Sequence, residues 1–376
     1  MRYLLLAVSA LLILSCNEKK DKPPVDDSQL KNITLPPGFR ISIFAKDVEN
    51  ARSMAMGDKG TIFVANRKGS SVYALVDSDG DGYAEKKYTI VKDMDIPNGV
   101  AFRNGSLYVA QVNKIWRIDN IEDNLENPGK PVAVFDSLPS EKHHGWKYIA
   151  FGPDGKLYIP VGAPCNICDS AANDKRFASI TRINPDGTGF EVFANGVRNS
   201  VGMTWHPQTN ELWFTDNGRD MLGDTLPGDE LNRAPQAGMH FGYPFCHQGN
   251  LVDSQYNTRP CAEFVQPAKV LDAHIAALGL KFYTGNMFPE EYRNQLFIAE
   301  HGSWNRSTPM GYRIMMVKLN SNTVTSYEPF AQGWLKNGKA WGRPVDVLVL
   351  KDGSMLVSDD EAGLVYRITY EAAIKK

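Results

Sequence analysis

Histidines, arginines, amides and carboxylates gather in a few short clusters along this 376-residue chain. His143-His144-Gly145-Trp146 offers an imidazole that titrates near neutral pH and suits proton abstraction from a hydroxyl. In Gly196-Val197-Arg198-Asn199-Ser200-Val201-Gly202 a guanidinium stands beside an amide, a pair suited to an anionic or carbonyl-bearing ligand. Thr215-Asp216-Asn217-Gly218-Arg219 and Gly228-Asp229-Glu230-Leu231-Asn232 bring carboxylates, amides and glycine carbonyls, the hard oxygens that calcium takes. Glu300-His301-Gly302-Ser303-Trp304-Asn305-Arg306 surrounds a tryptophan, on which a flat aromatic ligand could stack, with hydrogen-bonding side chains. Asn66-Arg67 and Trp341-Gly342-Arg343-Pro344 add two more cations. Taken singly, each cluster reads equally well as a solvated loop or a rim salt bridge. Arg67, Arg198, Arg306 and Arg343 converging in a chain of net charge −2 would mark a site for an anionic small molecule.

Convergence needs a scaffold, and a repeat supplies it. The unit is a short apolar strand, a polar turn with Gly or Asn, and a second strand rich in β-branched and aromatic residues. Met54-Ala55-Met56-Gly57-Asp58-Lys59-Gly60 leads into Thr61-Ile62-Phe63-Val64-Ala65; Val100-Ala101-Phe102-Arg103-Asn104-Gly105 leads into Ser106-Leu107-Tyr108-Val109-Ala110. Further copies begin at Ile149, Gly202, Leu278 and Val345. Asn-Gly and Asp-Gly tolerate the positive φ that hairpins require. Alternating runs such as Ile115-Trp116-Arg117-Ile118 and Val365-Tyr366-Arg367-Ile368 add a third strand to most copies. Six such units predict an all-β fold, a six-bladed β-propeller of four-stranded antiparallel blades over residues 34–376, rather than a two-sheet sandwich. The strand at Phe39-Arg40-Ile41-Ser42-Ile43-Phe44-Ala45 precedes the first copy and is expected to complete the last blade, hiding an open edge. Residues 218–271 read as a long, aperiodic excursion, of the kind that is usually functional.

The N-terminal residues have a different character. Met1-Arg2, an apolar run over residues 4–14 and Ser15-Cys16 resemble a bacterial lipoprotein signal, with Cys16 lipidated, an ordinary signal peptide being the alternative. Residues 17–33 form a polar tether. Export, with a lipid-anchored position on a periplasmic or outer-membrane face, would leave four cysteines in an oxidising compartment. The local pairing is Cys165 with Cys168 and Cys246 with Cys261, a CxxC metal site being the alternative. Asp77-Ser78-Asp79-Gly80-Asp81-Gly82-Tyr83 opens like an EF-hand loop, but Tyr88 stands where the twelfth-position Glu belongs, so a polar hairpin turn is expected. The balanced charge gives no reason to expect a nucleic-acid partner.

His144 ahead of Gly152-Pro153-Asp154-Gly155, Gly196-x-Arg198-Asn199-x-x-Gly202, Asp229-Glu230-Leu231-Asn232 and Gly242-Tyr243-Pro244, in this order and spacing, resemble the glucose/sorbosone dehydrogenase family over nearly the whole mature chain. Gly342-Arg343-Pro344-Val345-Asp346 and the 300–306 segment look most like its sorbosone branch and the quinone domains of pyranose dehydrogenases. The resemblance implies pyrroloquinoline quinone, calcium and oxidation of a sugar, aldose or related polyol. It makes His144 the general base and hydride acceptance the cofactor's task. Arg198 and Asn199 would hold the quinone oxygens, Arg343 a cofactor carboxylate, and carbonyls near Asn217 and Gly218 the calcium, with Asp229 and Glu230 close by. Val345 replaces a second arginine of the soluble glucose dehydrogenases and a cofactor-binding lysine has no clear counterpart, so Arg67, His301 or Arg306 would take over those contacts. Trp304 and Asn305 belong to the same expected cofactor site. With no haem-attachment motif, electrons would pass to a separate acceptor, a cytochrome or a quinone. The competing reading is a calcium-dependent propeller hydrolase of lactonase type, caged by Asn98, Asn199, Asp216 and Asp346, or a non-catalytic binding propeller.

Overall fold

A computed structural model describes residues 27–372; Cys16 and most of the tether lie outside the described residues. Five blades are consecutive in the chain, opening with Ala51–Met56, Gly99–Arg103, Ala150–Phe151, Met203–Trp205 and Ala277–Phe282. The sixth joins Pro344–Val349, Met355–Asp359 and Leu364–Tyr370 to Phe39–Ala45, which pairs antiparallel along Leu364–Tyr370 from Phe39↔Tyr370 onward. The expected closure is therefore present: a strand from one end of the chain covers the edge left by the other. The tail of the expected tether, Asp27–Asn32, forms a 3₁₀ helix, and Leu30 and Ile33 pack on the fifth and sixth blades.

The second strand of a blade is buried on both faces. Ile62–Asn66, Leu157–Val161, Leu212–Asp216, Leu296–Glu300 and Met355–Asp359 are buried at every position. Each sheet is sandwiched between two neighbours, which is why these segments read as near-continuous apolar runs. Phe63, Ala65 and Ala74 of the first blade meet Val100, Leu107 and Val109 of the second, while Phe297, Ile314 and Phe330 of the fifth meet Val347, Val357 and Tyr366 of the sixth. The first strands of neighbouring blades touch around the axis.

The 218–271 excursion departs from its aperiodic reading. It contains the third and fourth strands of the fourth blade, Gly228–Ala234 and Lys269–Ala273, and lends Met239–His240 to the third blade as a parallel fifth strand. Gly228–Ala234 hid because its buried residues are largely polar, satisfied sideways rather than by apolar contact. Cys246 is bonded to Cys261 within this segment, and Cys165 to Cys168. Residues 77–83 form a turn between Val72–Val76 and Lys86–Val91, with Asp77 accepting the N–H groups of Gly80 (2.7 Å) and Gly82 (3.0 Å).

Candidate functional site

Side chains reach one end of the axis from two regions of the blades, the segment that leads into or opens the first strand in five blades and the residue just after the second strand in four. The first set contains Arg52, Asn98, His144, Arg198 with Asn199, and Arg343; the second contains Arg67, Asn217, His301 and Asp360. Most of these line a single cavity of about 430 Å³, within the roughly 300–1,000 Å³ usual for small-molecule sites.

His144 is held by a tight turn. Gly145 N–H donates to the Lys142 carbonyl at 3.0 Å, and His144 takes φ 51°, a left-handed value that favours glycine. A Cβ on Gly145 would lie 2.4 Å from the Glu141 carbonyl oxygen, so only glycine fits there. Buried Lys147, its pKa brought down to about 7 by desolvation, donates from Nζ to the Gly145 carbonyl at 2.8 Å. Gly162 clears the space for His144: a Cβ on it would approach the His144 Cβ to 2.6 Å. His144 Nδ1 lies 2.8 Å from the Ala163 carbonyl. A carbonyl only accepts, so Nδ1 carries the hydrogen and neutral His144 offers Nε2 as an acceptor. Burial first, then Arg198 and His143, hold this imidazole well below its ordinary pKa, neutral at pH 7.

Buried carboxylates at the ends of second strands set the neighbouring side chains. Asp216 accepts the backbone N–H groups of Arg198 (2.8 Å) and Asn199 (2.6 Å), and Asp359 accepts that of Arg343 (2.8 Å). Arg198 spends all five of its donors on the wall. It reaches the Asn166 carbonyl (2.9 Å) and Oδ1 (2.8 Å), the carbonyls of Asn217 (3.1 Å) and Gly218 (2.8 Å), and Asp220 at 3.4 Å. It therefore gives a ligand positive charge rather than free N–H groups, whereas Asn199 lines the cavity with its side-chain amide unpartnered among the described residues.

Across the cavity stand three more guanidiniums. Arg52 donates to Asn98 Oδ1 and to Asp360, each at 2.9 Å. Arg343 donates to the carbonyls of His301 (3.0 Å) and Gly302 (2.6 Å). Arg67 lies over the Trp146 ring at 3.9 Å and has no hydrogen bond or ion pair among the described residues. Burial and the nearby Arg52 lower its pKa to about 10, so it stays charged. The carboxylate in this group is Asp360, 2.7 Å from His301 Nε2. Burial opposes its ionisation, but Arg52 and the His301 N–H outweigh burial and hold it well below the carboxylate range. His301 itself is pushed down to about 4 by burial and is neutral.

Arg67, His144, Arg198, Asn199, Asn217, Gly218, Asp229, His301, Trp304, Asn305 and Arg343 thus line the same cavity. Two expected residues do not. Arg306 turns away to the carbonyls of Asp224 (2.7 Å) and Ala273 (3.0 Å), strapping its loop to the cavity wall, because polar loop residues satisfy buried carbonyls first. Glu230 follows Asp229 in a strand, where successive side chains point to opposite faces. Its oxygens accept Gln248 N–H (2.7 Å) and Asn232 Nδ2 (2.8 Å) beside a much smaller cavity, and burial pushes its pKa up to about 8. Asp229 does reach the main cavity, accepting Gly218 N–H at 2.9 Å, with a pKa raised to about 6 by burial. The cage for a hydrolytic calcium does not assemble. Asn98 is engaged with Arg52 and with the Lys147 carbonyl at 3.0 Å, Asp216 with two backbone N–H groups, and Asp346 with those of Met54 and Val347, each at 2.9 Å.

Arg52, Asp220, His274 and Asp360 were not anticipated. Aligning the six units would have exposed Asp360, which follows its second strand as Arg67 does in the first blade, whereas Arg52 lies inside a first strand, level with Val345. Asp220 and His274 sit outside the repeat and carry no such signal.

A propeller with a cationic axial cavity and a neutral, oriented histidine is a small-molecule site, and the comparisons say of which family. The Glucose / Sorbosone dehydrogenase family profile matches residues 109–367, and the chain belongs to that family. It is 37% identical over 355 residues to an uncharacterised protein of Borreliella burgdorferi, covering 90% of this chain and 91% of that one. It is 23% identical to the pyrroloquinoline quinone-dependent pyranose dehydrogenase of Coprinopsis cinerea, over 88% of this chain and 54% of that protein, so it spans about half of that relative's length. The solved holo form of the pyranose dehydrogenase PQQ domain from Coprinopsis cinerea superposes with a TM-score of 0.75 at 19% identity, over 90% of this chain and 97% of that one, which speaks for the fold.

Proposed function

We propose that the chain is a sugar dehydrogenase that binds pyrroloquinoline quinone in the axial cavity and oxidises an aldose or related polyol there. The observation that carries this is Arg67, an unpaired guanidinium in a cavity that it shares with Arg52 and Arg343. Arg67 is half-buried, and a cation drawn partly out of water with no hydrogen-bonded anion among the described residues favours a ligand that supplies one. The donor set fits a planar tricarboxylate. Arg67, Arg52 and Arg343 would meet its carboxylates, Asn199 and the charge of Arg198 its quinone edge, and Trp304 the rim. When bound, the quinone supplies the hydride acceptor.

The chain's own contribution is positioning and proton transfer. His144, with Nδ1 pinned to Ala163, presents Nε2 to take the proton of the sugar hydroxyl as hydride leaves the same carbon. The cations would hold the cofactor and supply positive charge beside its quinone edge. The carbonyls of Asn217 and Gly218 keep a second lone pair each beyond their bonds to Arg198, and with Asp229 they fit a calcium ion that draws its other ligands from water and cofactor. Such an ion would supply a Lewis acid beside the quinone. Calcium hydrolysis finds no support in the dispersed cage residues. The two disulfides support export, and with it a lipid anchor at Cys16 and a separate electron acceptor, a cytochrome or a quinone.

The test adds pyrroloquinoline quinone and calcium to purified protein and follows dye reduction with a panel of aldoses. His144→Gln is expected to keep the quinone absorbance and lose reduction by about 10²-fold or more. No quinone binding, and no reduction with any aldose, would overturn the proposal.

A further inference from the structure

His143 precedes the candidate base and shares the cavity with it, yet the two rings live in different surroundings. His144 is buried and His143 is exposed. Consecutive side chains of an extended segment point to opposite sides. Here the left-handed φ of 51° at His144 turns the chain, and the rings lie side by side with centroids 4.1 Å apart and planes tilted by 52°. A histidine kept in a conformation that favours glycine is an outlier of the sort that collects at functional sites. Nδ1 is occupied by the Ala163 carbonyl, Trp146 stands at right angles to the ring with centroids 5.7 Å apart and Gly162 packs against its Cβ, so Nε2 is the nitrogen left to exchange a proton, in a cavity that His143 also lines.

We propose that His143 is the proton outlet of this site, carrying to solvent the proton that His144 takes from the sugar. The inference rests on the dehydrogenase reading above. The balance is simple. The hydroxyl O–H bond breaks and an N–H bond forms at His144 Nε2, while the two electrons leave the carbon as hydride to the bound quinone. The proton then moves from His144 to a His143 ring nitrogen, directly or through one water, and from there to bulk water. Both imidazoles return to their starting state and neither is oxidised. The charges around the pair favour fast release: Arg198 faces both rings, Arg67 acts on His144, and the Asp220 carboxylate acts on His143. A proton on His144 is therefore held less well than one on its exposed neighbour.

The experiment uses His143→Gln, an exposed substitution, with His143→Ala beside it should the amide itself carry protons. In dilute buffer both variants are expected to bind quinone as wild type does but to turn over about tenfold more slowly, with added imidazole restoring the rate. A packing role alone would show no rescue. An activity-independent readout is the NMR titration of the His144 ring in the quinone-free chain: removing His143, whose charge lowers the His144 pKa, should raise its midpoint. Variant turnover that does not respond to imidazole, or a His144 midpoint that stays put, overturns the outlet while leaving the dehydrogenase reading intact. A wild type that reduces no dye with any aldose removes both.

Discussion

Replacing Arg67 by Met separates ligand binding from folding more sharply than any other change at this site. The guanidinium stacks on Trp146 but has no hydrogen-bonded acid among the described residues; Arg52 and Arg343 repel it while Asp360 attracts it from a distance. In the ligand-free chain its desolvation is offset by the stack, worth about 1–2 kcal/mol at such a site, and by the attraction of Asp360. Methionine keeps the apolar stem and ends the repulsion, so the free chain should be as stable as wild type to within about 1 kcal/mol. In the complex the same guanidinium would meet a ligand carboxylate away from bulk water. Removing one partner of such a pair costs about 2–5 kcal/mol, and at 1.4 kcal/mol per tenfold this is about 30-fold to 3,000-fold in Kd. Quinone titration by fluorescence or calorimetry, beside denaturant unfolding of the free protein, measures both halves. A Kd within threefold of wild type would show that the unpaired cation is not there for the ligand, and the cofactor reading would lose its main support.

Three other outcomes are expected. Asp360→Asn should destabilise the free chain by about 3–5 kcal/mol in denaturant unfolding, because Arg52 loses the carboxylate that it shares with His301. Dye reduction should stay level as pH falls from 8 through the ordinary histidine pKa near 6.5 and decline only well below it. His144 takes up its proton late, whereas the accompanying loss of stability begins near the unfolded histidine pKa of about 6.5 and is complete once the folded chain binds the proton too, because a depressed imidazole pKa favours folding only while the ring is neutral. The double change Cys246→Ser and Cys261→Ser opens a loop with a sequence separation of 15 and should cost about 3 kcal/mol or less, measured as a lower denaturation midpoint.

Much of the architecture was legible because it is written in local chemistry. Six strand–turn–strand units, three of them turning at Asn104-Gly105, Asp154-Gly155 and Asp352-Gly353, and an orphan strand at Phe39–Ala45, leave few arrangements other than a closed ring. The same units made Arg67, His144, Arg198, Asn199 and Arg343 findable, since each flanks a repeated strand at the end of the blade that faces the cavity. Legibility failed where a residue's partner is remote in sequence. Nothing near Arg306 says that it will turn to Asp224 and Ala273, and nothing in Asp229-Glu230 says that only the first faces the cavity until Gly228–Ala234 is known to be a strand. The amino-acid sequence thus determined the ring, its closure and the kinds of side chain sent to its axis, because hairpin turns and alternation are set by neighbours a few residues apart. Tertiary structure decided which of those side chains are free to meet a ligand. Arg198 is saturated by the wall and Arg67 is left bare, a difference that depends on carbonyls and carboxylates brought in from other blades.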